Sequence, residues 1–207
     1  MYLVQLLLWC GVVAGPLFVA TFLVEGYMRP NYNPLRKPVS VLSQGRRGWV
    51  QKANFFVSGV LLIAYAYGLY MMLGAVGAVW GPLLVFLHGA GVVGAGIFDT
   101  DYGGVRTKGF HHNRSGVLHD LFSTIVFVSL SVGCIVFANI FNMLQAPQWA
   151  LYSNITGVLY LLGFIISARA FAPSSSLAPI GGLIQRLTII IGCVWVTLSA
   201  LHFLAGW

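Results

Sequence analysis

The sequence predicts an all-α membrane protein, a polytopic bundle of six transmembrane helices with both termini extracytoplasmic. Three observations lead there. Of 207 residues, 58% are hydrophobic and only 7% are charged, with a mean hydropathy of +0.87, whereas a soluble domain needs about 25% charged residues to keep its surface wet. The apolar stretches reach about 20 residues, the length at which a helix crosses roughly 30 Å of hydrocarbon. They also lack the alternation of a barrel strand, and a helix satisfies its own backbone groups where no water is present. Ordinary soluble domains are excluded.

The spans fall at about residues 2–24, 53–73, 79–98, 116–138, 149–167 and 182–207. The first lacks a positively charged leader and a small-residue cleavage site, so it reads as a retained helix. Gly74 and Gly77 bound a connection short enough to make the second and third spans an antiparallel hairpin. The longest connection, 26–52, carries Pro30, Pro34 and Pro38 and reads as an ordered loop within a single domain covering 1–207. Ser115 is the expected N-cap of the fourth span. The glycine-rich run after His88 marks a close helix–helix contact, with Gly91 and Ala95 on one face.

Charge sets the orientation. Arg29, Arg36, Lys37, Arg46, Arg47 and Lys52 lie between the first two spans. Arg106, Lys108 and Arg114 follow the third, and Arg169 and Arg186 lie around the fifth connection. The other turns hold none of the eleven basic residues. By the positive-inside rule these three loops are cytoplasmic. Trp9, Trp80, Trp149 and Trp207 then fall near the outer interface, where an aromatic belt belongs. Because the +7 net charge is explained by topology, nucleic acid is not an expected partner. Weak echoes between residues 11–18 and 91–98, and between 38–42 and 173–177, carry no conclusion.

The chemistry-bearing residues gather towards the cytoplasmic side. Glu25, Asp99, Asp101 and Asp120 are all there, with His111, His112 and His119. His119 sits at the start of a span, where the helix dipole disfavours its protonated form. Two readings stay open. In one, Asp99, Asp101, His112 and His119 hold a divalent metal, or His119, Asp120 and Ser40 perform acid–base catalysis. In the other, these groups cap helix ends and pair with Arg106, Lys108 or Arg114. His88 is expected to be a hydrogen-bonded structural histidine. A haem would need a second axial histidine at matching depth, and His202 lies too near the outer end of its span. Cys10, Cys134 and Cys193 show neither zinc-site nor disulfide spacing and read as packing residues. Glu25 and Arg29, four apart, are placed to pair.

Three helix N-termini also face the side that carries the basic residues, a combination suited to phosphate or carboxylate. Arg29, Arg46, Arg47, Arg114, Ser40 and Ser43 are the candidate ligand-binding groups. The leading functional expectation is a cytoplasm-facing, polar, cation-rich pocket that binds or handles a lipid or a small amphipathic anion. The rivals are a metal-dependent intramembrane lipid hydrolase or transferase using His119 with Asp99 and Asp101, and a transporter or channel subunit.

The segments Gly15–Phe18, Arg29–Tyr32, Val39–Ser43, Gly48–Gln51, Asn54–Gly59, Gly94–Asp99 and Gly116–His119 together resemble the bacterial six-helix membrane family of unknown function DUF998. In layout the chain is also distantly similar to eukaryotic membrane proteins of the Frag1 and DRAM type. The resemblance implies six helices, a polar face and a bacterial cytoplasmic membrane. It implies no catalytic residue, because the family's activity is not established.

Overall fold

The computed structural model describes residues 2–74, 77–101 and 113–206. Six helices carry the chain: α1 (Tyr2–Met28), α2 (Gly48–Leu73), α3 (Trp80–Ile97), α4 (Arg114–Met143), α5 (Pro147–Ala170) and α6 (Gly181–Leu204). All six are long and apolar enough to cross a membrane. Two short 3-10 turns, Val39–Ser43 and Ala178–Ile180, sit beside the basic ends.

Local chemistry accounts for the helix boundaries. Gly77, at φ +77°, turns the chain between α2 and α3. Between α4 and α5 only three residues intervene, and Gln145 takes φ +58° there while Ala146 N–H donates to Phe141 O at 2.8 Å. Pro147 opens α5 at a position where its missing N–H costs nothing. The fourth helix begins at Arg114, and its N-cap is Asn113, whose side chain accepts from Gly116 N–H at 2.8 Å. This corrects the expectation for Ser115: its hydroxyl instead accepts from Asp99 N–H at 2.8 Å, tying the end of α3 to the start of α4.

Each helix packs on its neighbours in sequence, and α6 packs on α1, so the six close into a ring. Small residues set the seams. Gly59 and Gly89 let α2 and α3 meet nearly backbone to backbone, a Cβ on either falling within 3 Å of the other helix's carbonyl oxygen. Gly91 sits against Val126 and Phe122 of α4, and Ala95 is buried on the same face. Outward faces are apolar: on α5, Leu151, Ile155, Leu159, Leu162 and Ile166 are all exposed. That surface suits hydrocarbon and would be a liability in water.

The two halves of the ring differ inside. In the half away from the basic loops, aromatic side chains fill the axis. Phe137 meets Trp195 edge-on at 5.4 Å, and Phe141 stacks on Phe203 at 5.5 Å. Trp195 N–H donates to Ser153 Oγ at 2.9 Å, and the Tyr65 hydroxyl meets Ser199 at 3.2 Å. The basic half is hollow.

Candidate functional site

A cavity of about 260 Å³ occupies the axis of the basic half, lined by residues from all six helices and from the Val39–Ser43 turn. Much of its wall is apolar, including Phe18, Leu62, Val92, Phe127 and Phe164. Thr124 and Ala168 line it yet are exposed, so the cavity reaches the outer surface between α4 and α5. The stacked pair Phe127–Phe164, with ring centroids 4.7 Å apart, also lines the cavity.

Two histidines line the cavity at different depths. His119, almost fully buried, places Nδ1 3.0 Å from Ala95 O and 2.9 Å from Phe98 O. Carbonyl oxygens only accept, so Nδ1 carries the proton and donates to both. His88 does the same with Val126 O at 2.9 Å. With Nδ1 as the donor, the neutral form of each ring has its lone pair on Nε2. Ala95, beside His119, follows His88 by seven residues on α3, which is about 10 Å along a helix. A shared metal ion would need both nitrogens about 2 Å away, so the two rings act separately.

The remaining sequence candidates have distinct positions. Asp99 is exposed and pairs with Lys52 at 2.8 Å. Asp101 accepts from Asn113 N–H at 2.8 Å and lies against Gly116, at a helix start that favours negative charge. His112, Arg106 and Lys108 lie outside the described residues. Among the described residues no group of three or more His, Cys, Asp or Glu side chains gathers as a metal site. Ser40 and Asp120 line the cavity beside His119.

The cations have structural partners. Glu25, buried at the end of α1, takes Arg47 at 2.5 Å and Arg29 at 3.5 Å. Arg29 also donates to Gln44 O at 2.8 Å. Ser43 Oγ donates to Ser40 O at 2.6 Å, while Arg46 and Arg114 are exposed. Among the described lining residues there is no Lys or Arg. Arg29, Arg47 and Ser43 therefore brace the 29–47 loop, in which Val39 N–H also donates to Gln185 Oε1 at 2.9 Å. Sequence reasoning missed Gln185, Ser123, Thr124 and Ser167 as lining residues. A polar stripe at Asp120, Ser123 and Thr124 on one helix face was the available signal.

Geometry thus defines a polytopic helical membrane protein built as a closed six-helix ring around an internal cavity. The chain belongs to the family described as proteins of unknown function, DUF998, whose model matches residues 12–202. No curated protein and no solved structure matches the chain.

Proposed function

We propose that this protein binds a lipid or other small amphipathic molecule inside the helix ring, in a bacterial cytoplasmic membrane with the basic loops on the cytoplasmic side. The carrying observation is the cavity itself: apolar walls continuous with a polar end made by Ser40, His119, Asp120 and Gln185. Such a mix of apolar surface and few placed polar groups is what small-molecule sites present. The opening between α4 and α5 lies along spanning helices, so the occupant reaches it from within the leaflet. An anionic head, expected from the loop charges, finds no Lys or Arg among the described lining residues.

Photolabelling tests the reading. A medium-chain monoacylglycerol carrying a diazirine in its chain is irradiated with the purified protein, and labelled peptides are mapped by mass spectrometry. Label should fall on inward positions such as Phe127 and Phe164 and be lost in Val92→Phe, a variant that fills the cavity. Label confined to outward positions such as Leu151 and Ile155 would overturn it.

A further inference from the structure

We infer that the cavity selects an uncharged single-chain amphiphile whose head donates hydrogen bonds, such as a lipid with a free hydroxyl, received by Nε2 of His119 or, deeper, by Nε2 of His88. The inference rests on the cavity being the ligand site, as proposed above.

Several protons of the cavity wall are already committed. Both imidazoles give Nδ1–H to carbonyls of the α3–α4 seam. Thr124 Oγ1 donates to Asp120 O at 2.8 Å, Ser167 Oγ to Phe164 O at 2.9 Å, and Ser58 Oγ to Asn54 Oδ1 at 3.4 Å. A hydroxyl or imidazole whose proton is spent this way presents lone pairs to whatever sits beside it. These five side chains offer acceptors to the cavity, and a head group that brings donors meets them.

Charge and size narrow the class. Among the described lining residues no Lys or Arg would neutralise an anionic head, and a buried unpaired charge is strongly disfavoured. A volume of about 260 Å³ falls just below the roughly 300–1,000 Å³ usual for ligand pockets. That size suits one chain with a compact head.

The experiment keeps the protein unaltered and varies the competitor. Against the diazirine monoacylglycerol, four molecules of equal chain length are titrated: monoacylglycerol, its di-O-methyl ether, the free fatty acid and the alkylamine. Monoacylglycerol should displace the label at about tenfold lower concentration than the ether, which keeps the oxygens but has no donor, and should outcompete both charged molecules. In parallel, imidazole nitrogen resonances should show an unprotonated Nε2 in the free protein that shifts on adding monoacylglycerol, with Nδ1 unmoved. Equal displacement by all four, a preference for acid or amine, or an Nε2 protonated in the free protein would overturn this inference and leave the cavity reading standing. Absence of any label inside the ring would overturn both.

Discussion

Arg186 of α6 and Tyr32 of the first loop are bound to each other across the basic end of the ring. The guanidinium donates to the Tyr32 hydroxyl and lies 5.5 Å from its ring centroid. Its other nitrogen donates to Pro34 O at 2.6 Å and to Lys37 O and Gly182 O at 2.9 Å each. The Tyr32 hydroxyl donates onward to Pro38 O at 3.0 Å. One buried cation thus gathers the loop carbonyls and pins the loop onto α6, next to Gln185 and the cavity.

Replacing Arg186 by Met leaves Pro34 O and the Tyr32 oxygen without the donor that Arg186 supplies. Each unsatisfied buried group costs about 1–3 kcal/mol, so the expected loss is about 2 kcal/mol or more, read as a lower thermal unfolding temperature in detergent with faster proteolysis between residues 31 and 45. Arg186→Lys, with a single ammonium instead of a fork, should fall between. Wild-type proteolysis in the Met variant would contradict the loop-anchoring role.

Alkaline pH should loosen the same junction. Burial pushes the Tyr32 phenol above its ordinary value, with Arg186 and Arg29 opposing the rise. The folded chain then keeps the phenolic proton to a higher pH than the unfolded chain does. This contribution is fully present below about pH 10, and is lost as pH climbs through the folded value. Tyr32→Phe should be less stable at neutral pH but decline more shallowly above about pH 10. Parallel pH curves would count against the assignment.

The α3–α4 seam should be intolerant of volume, most of all at Gly94. A Cβ there would sit 2.3 Å from the Phe122 ring, which is itself stacked on Phe98 at 5.5 Å. At Gly91 the nearest atoms, Val126 Cγ2 and Phe122 O, are 3.0 and 3.1 Å away. Gly94→Ala should therefore cost about 1–3 kcal/mol and Gly91→Ala less, while Leu at either position should cost more than Ala. Unfolding in detergent reads the order; a reversed order would refute the packing account.

Orientation can be read by cysteine labelling. With Cys10, Cys134 and Cys193 replaced, Arg36→Cys and Val79→Cys put exposed thiols at opposite ends of the ring. In intact cells a membrane-impermeant maleimide should reach position 79 and spare position 36. The opposite pattern would invert the topology argued from the basic loops.

Six helices, their approximate limits and the segregation of charge follow from the sequence by itself, because crossing a bilayer demands a length and an apolarity that each segment displays independently. The pairing of Glu25 with Arg29 was legible for the same reason: i,i+4 neighbours meet on any helix. What the charged and polar groups do was decided only by tertiary structure. Arg29, Arg47 and Arg186 look alike as loop cations, yet their partners, Glu25 and the carbonyls of residues 34, 37 and 44, lie up to 152 residues away. Likewise, which histidine nitrogen keeps a lone pair depends on carbonyls of Ala95, Phe98 and Val126 that reach the rings only once α3 and α4 have packed. Composition reports which environment a segment needs; closing the ring determines which groups share the space inside it.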